Sequence, residues 1–134
     1  MATNQTKMIR SAAVLQVRDV IASGAFYRDK LGFTSANFWG DPPCFGIVGV
    51  DTVTLFLDQS RDDVPTPVNQ YWAAYIYVDD VDALHAELQA RGVEIVRGPS
   101  DEEHGCREID VRDPDGHIVC FGQDLQPGPD GPGL

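Results

Sequence analysis

Hydrophobic and polar positions along this chain follow one pattern, stated twice. In AAVLQVRDVIASGAFYRDKLGF, an extended apolar run passes through a turn into a helical segment. That segment places Ile21, Ala25, Phe26 and Leu31 on one side and stops at Gly32. In AAYIYVDDVDALHAELQARGV the same grammar returns: a strand ending at Val78, an Asp-Asp turn, and a helix stopped at Gly92. Val81, Leu84 and Leu88 stand there at i, i+3 and i+7, the apolar stripe of a half-buried helix. Asp80 is placed to cap that helix, and each glycine supplies the left-handed conformation that ends one.

Short strand candidates follow each helix. FTSANFW, CFGIVG and TVTLFLD come after the first, and VEIV, CREIDVR and HIVCFGQ after the second. Val53, Leu55 and Leu57 alternate with Thr54 and Phe56, the period of a strand with one buried face. PDG at 114–116 signals a tight hairpin. QSRDDVPTPVNQ, with two prolines and no apolar period, reads as a connection. The chain thus divides into a tail at 1–8, a βαβββ module at 9–58, a connection at 59–70, a second βαβββ module at 71–124, and a Pro/Gly-rich tail at 125–134. Together these make one domain of the α+β class.

Composition narrows the function classes. The 134 residues, 43% hydrophobic and 23% charged, can bury one core without staples. No apolar run approaches the ~20 residues that span a bilayer. MATNQTKMIRS lacks the apolar centre of a signal peptide, so a cytoplasmic protein without membrane attachment is expected. Cys44, Cys106 and Cys120 are odd in number and show no CxxC spacing, which argues against a disulfide framework and a structural zinc site. Ten Lys and Arg against 21 Asp and Glu give a net charge of −11. Such a surface repels phosphate backbones, excluding nucleic acid as a partner, and concentrates cationic ligands.

Four segments then carry a family resemblance: VRDVIASGAFYRDKLGF (17–33), DTVTLFLD (51–58), YIYVDDVDALHAELQARGVEIV (75–96) and REIDVRDPDGHIVCFGQD (107–124). In this order and spacing they resemble the vicinal oxygen chelate superfamily of glyoxalases, extradiol dioxygenases, fosfomycin-resistance enzymes and bleomycin-resistance proteins. The resemblance implies two tandem βαβββ modules forming a curled, mostly antiparallel sheet around a cleft, in a homodimer. Metal-using members draw ligands from the first and last strands of each module. By the resemblance those places hold Ala12, Ala73, about Leu55, and Cys120, which cannot bind a hard divalent ion or complete a zinc site. No metal of the family's type, no cofactor and no catalytic residue is therefore expected. Elsewhere, His85 lies beside the stripe of a helix and His117 should point opposite Cys120. EEHGC is the one local grouping with metal-binding or catalytic chemistry, setting His104 near Cys106 and two carboxylates.

A cleft without metal is a binding site. Flat aromatic faces accept planar heterocycles, and acidic groups nearby hold a cationic tail, although core packing claims many aromatics in a small domain. The motifs are most similar to the bleomycin-resistance group, which binds its drug without altering it. The expected ligand-binding set is Phe38, Trp39, Phe45, Phe56, Trp72, Tyr75, Tyr77, His104 and Cys120, with Asp41, Asp62 and Asp63 toward a cationic tail. His104 stands near the place where drug-binding members carry a stacking tryptophan. The expected function is sequestration of a cationic or aromatic molecule, a bleomycin-like antibiotic above all. Two other readings stay open: a superfamily lyase or dioxygenase with an atypical metal site, and an accessory module that binds a metabolite.

Overall fold

Two aspartates start the two helices. Asp19 accepts the amides of Ile21 and Ala22 at 3.0 Å, and Asp80 accepts that of Ala83 at 3.0 Å. Each satisfies donors that the first turn leaves over, so α1 covers Val20–Asp29 and α2 covers Val81–Ala90. Gln59 and Gln123 complete the starts by accepting the amides of Val20 and Val81, both at 2.9 Å. Gly32 and Gly92 take φ of 86° and 75° just past the helix ends.

The protein is described from a computed structural model over residues 5–59, 68 and 70–128. The strands are β1 (Ala13–Val17), β2 (Ser35–Gly40), β3 (Pro43–Val50), β4 (Val53–Gln59), β5 (Trp72–Tyr77), β6 (Ile95–Asp101), β7 (Cys106–Arg112) and β8 (Ile118–Asp124). The expected single curled sheet is replaced by two four-stranded sheets, ordered β1-β4-β3-β2 and β5-β8-β7-β6. Both are mixed, with two antiparallel pairings and one parallel pairing in each, so the antiparallel majority stands. The helix crossover returns the chain so that the first and last strands of each module lie parallel, while the hairpin-linked strands run antiparallel. The α+β class and the module order stand as read from the sequence.

Each sheet has a helix on one face and leaves the other open. Leu15, Val17, Val48, Leu55 and Leu57 face α1, and Ile76, Ile109, Val111, Val119 and Phe121 form the equivalent core of the second module. The α1 stripe differs from the expected one: Ile21 is exposed, and Val20, Ser23, Gly24, Tyr27 and Leu31 are buried. Small side chains at 23 and 24 let the helix approach the sheet closely, and the Phe38 ring lies where a Gly24 Cβ would be. The 113–117 turn does more than join β7 to β8. Arg18 donates to Asp115 and to the Pro114 carbonyl, Tyr27 donates to Asp113 at 2.9 Å, and His117 Nε2 lies 2.6 Å from the Gln16 carbonyl. These bonds fasten the modules together. Among the described residues, no helix is long and apolar enough to cross a membrane.

Candidate functional site

The open faces collect the aromatic residues into two ladders. On the first sheet the register aligns Trp39 with Phe45, and Ile47 with Phe56 and its neighbour Val14. Trp39 and Phe45 pack tilted there and Phe45 meets Phe56 edge to face, with centroids 6.0 and 5.4 Å apart. Strand alternation puts Phe38 on the opposite face, above Gly24 and Gly46, so it does not join them. On the second sheet Trp72, Tyr75 and Tyr77 form a ladder with centroids 5.1 and 5.0 Å apart. A register shift between Trp72 and Ala74 brings Trp72 onto the face of Tyr75, which plain alternation would forbid.

Beside the second ladder lies a network of charged side chains. β7 alternates Ile109 and Val111 into the core with Glu108 and Asp110 onto the open face. Arg97 on β6 reaches across to both, donating to Asp110 Oδ2 and Glu108 Oε1 at 2.7 Å, and to Glu102 Oε1 at 2.8 Å. Tyr75 donates to Glu108 Oε2 at 2.7 Å, and Trp72 Nε1 donates to Asp110 Oδ1 at 3.1 Å. His104 Nε2 lies 2.8 Å from Glu108 Oε2. Gly122 makes room: a Cβ there would fall on the Tyr75 hydroxyl.

Burial of these groups is compensated by their bonds. Glu108 is fully buried, which works against its charge. The bonds from Arg97, Tyr75 and His104 outweigh that and hold the carboxyl below its ordinary value. Burial raises the Tyr75 phenol well above its ordinary value, and its bonds to Cys106 and Glu108 add to the shift. The Cys120 thiol is pushed up by burial and then by Asp110, to which it is bonded. Three carboxylates thus face one guanidinium, and even a protonated His104 would leave the group anionic. The open space beside it, bounded by Tyr71, Trp72, Val96, Arg97, Glu102 and Asp110, has a volume of about 880 Å³.

The sequence-derived residues separate accordingly. Trp72, Tyr75, Tyr77, His104 and Cys120 share the second open face, and Trp39, Phe45 and Phe56 share the first. Asp41 is exposed in the turn between β2 and β3, while Asp62 and Asp63 lie outside the described residues. Glu102 is one of the two carboxylates of EEHGC, whereas Arg97, Glu108 and Asp110 were not foreseen. Polar residues alternating along a strand read as a solvated face, and only the pairing of β6 with β7 sets the buried Glu108 and Asp110 against the partly exposed Arg97.

The first and last strands of each module, where the resemblance sets the family's metal ligands, pair in register. Val14 pairs with Phe56 in the first module, and Tyr75 with Cys120 in the second. Leu55 and Val119 face the helices instead. Ala12 lies before β1, and Ala73 sits at the register shift, packed against the core. The residues that the resemblance sets at those places, Ala12, Ala73, Leu55 and Cys120, offer three hydrocarbons and a thiol, which do not fit the family's divalent ion.

The Glyoxalase/Bleomycin resistance protein/Dioxygenase superfamily model matches residues 9–121. Among solved structures, a bleomycin-binding protein from bleomycin-producing Streptomyces verticillus, complexed with copper(II)-bleomycin, is 28% identical with a TM-score of 0.64. That match covers 87% of this chain and 97% of the other. TnmS3, an antibiotic binding protein from Streptomyces sp. CB03234, is 25% identical with a TM-score of 0.68, covering 89% and 99%. A glyoxalase-related enzyme from Clostridium phytofermentans, 17% identical with a TM-score of 0.74 over 90% and 99%, shares the fold. No curated protein matches the sequence. With its family match running through both modules, the chain belongs to the glyoxalase/bleomycin resistance protein/dioxygenase superfamily.

Proposed function

We propose that this protein sequesters a small molecule that joins a planar aromatic part to a cationic group, and that a bleomycin-type antibiotic is the leading class of ligand. One observation carries the reading: the Trp72–Tyr75–Tyr77 ladder stands against the anionic group of Glu102, Glu108 and Asp110. Rings accept a heterocycle by stacking, and the uncompensated carboxylate charge attracts its cation. The bleomycin-binding and antibiotic-binding neighbours support the class. Val14, Trp39, Tyr71, Trp72, Tyr77 and Val96 leave large apolar area exposed, and a homodimer would cover part of it while closing the clefts.

Titration with metal-free bleomycin, followed by tryptophan fluorescence and calorimetry, tests the proposal. The chain has two tryptophans, and both lie on open faces. Saturable binding that weakens with salt is expected. Trp72→Ala should weaken it about tenfold, the order of one aromatic contact. No heat and no quenching at high micromolar drug would remove bleomycin as the ligand.

A further inference from the structure

At the start of β7, His104 and Cys106 stand beside Glu108 and carry donor chemistry that stacking and charge attraction do not use. The turn at 102–105 is closed by the Gly105 amide on the Glu102 carbonyl at 3.0 Å and by the Glu102 amide on the Cys106 carbonyl at 2.8 Å. Gly105 has φ of 94°, a conformation that favours glycine, and the reversal folds His104 back over the strand. Cys106 and Glu108 are two residues apart on β7, so both side chains project from the same face. One ligand atom each from His104, Cys106 and Glu108 then lie within 4.8 Å of one another.

We infer that His104, Cys106 and Glu108 form a binding site for a thiophilic divalent cation of the zinc or cobalt kind. Imidazole, thiolate and carboxylate are the donors such ions take, and three of them leave a fourth position open. A hard ion such as magnesium or calcium would not choose a sulfur ligand. None of Val14, Phe56, Tyr75 and Cys120 is a ligand of this site, although Tyr75 bonds its Glu108, and the inference does not depend on the antibiotic reading.

Charge and second contacts support it. Arg97 takes Glu108 Oε1 and orients the carboxylate, leaving Oε2 toward His104. Tyr75 donates to that same Oε2, and an oxygen with two lone pairs accepts a hydrogen bond and a metal together. Glu102, Glu108 and Asp110 outnumber Arg97, and Asp124 aligns with Cys106 on the neighbouring strand. A dication entering here meets an excess of negative charge in a largely buried place. The balance is simple: the metal replaces the His104–Glu108 hydrogen bond, and the Cys106 thiol proton leaves to solvent as the metal–sulfur bond forms.

The test is a Co(II) titration of the reduced full-length protein in a buffer free of chelators. The expected result is a thiolate-to-cobalt charge-transfer band in the near ultraviolet that saturates at one ion per chain and is abolished by Zn(II). Cys44 is exposed and could bind metal on its own, so Cys44→Ser must retain the band. Cys106→Ser must lose it. Because Cys106 is buried, His104→Ala supplies a second variant at a half-exposed side chain, and it should weaken Co(II) binding about tenfold or more. A band that survives Cys106→Ser, an unchanged affinity in His104→Ala, or no band at high micromolar Co(II) would overturn the site.

Discussion

A side chain at position 122 would stand where the Tyr75 hydroxyl now does, and that fixes what Gly122 contributes. Gly122→Ala must displace either the phenol or the strand. The expected loss is about 1–3 kcal/mol of stability, the usual cost of overpacking, read from urea denaturation midpoints. A neutral substitution would mean that Tyr75 does not hold its bond to Glu108. The aromatic half of this site was legible in the sequence, because Trp72, Tyr75 and Tyr77 are large residues crowded into one strand. The charged half was not. Arg97 and Glu108 lie 11 positions apart in sequence, and nothing local announces that a strand reading R-E-I-D-V-R buries its acids against a neighbour's arginine. Phe38 shows the reverse: its type suggested a ligand contact, and a one-residue alternation sent it to the helix side.

The elements repeat with the modules. Both helices start on an aspartate and on a glutamine from the last strand, and both end near a glycine with positive φ. Such signals are local, which is why the helices and hairpins could be read from the chain and β7 falls on CREIDVR. The α1 stripe was misread because burial there is carried by Ser23 and Gly24, whose value is their small size rather than their hydrophobicity. The register shift in β5 was equally hidden, since it depends on how that strand pairs with β8. Asp80→Ala should lower stability by about 1 kcal/mol in chemical denaturation, as expected for a lost N-cap, and shorten α2 at its start. An unchanged midpoint would assign the helix start to Gln123 alone.

At the scale of the molecule, the decisive feature is how two modules become one body. Among the described residues their sheets share no strand pairing, and the 113–117 turn docks on the first module through Asp113, Asp115 and His117. Asp113 is buried. It accepts the amides of Asp115 and His117 and the Tyr27 hydroxyl, while Arg18 pairs with Asp115 beside it. Burial is the larger influence and raises the carboxyl above its ordinary value of 3.8, although those bonds pull the other way. The folded state therefore keeps this proton to a higher pH than the unfolded chain does. Asp113 contributes stability that is fully present below 3.8 and is lost as pH rises through the raised value, after which its effect is constant. Asp113→Asn keeps an acceptor for the two amides and removes the titration. The stability of wild type relative to this variant should fall across the mildly acidic range and level off toward neutrality, measured by urea denaturation between about pH 3 and 7. Asp113→Ala, which leaves the buried Tyr27 hydroxyl without its acceptor, should instead cost about 1–3 kcal/mol at neutral pH. If the relative stability of wild type rose with pH, the bonds from Tyr27, Asp115 and His117 would be the stronger influence. Asp113 would then tie the modules together as a charge rather than as a buried acceptor.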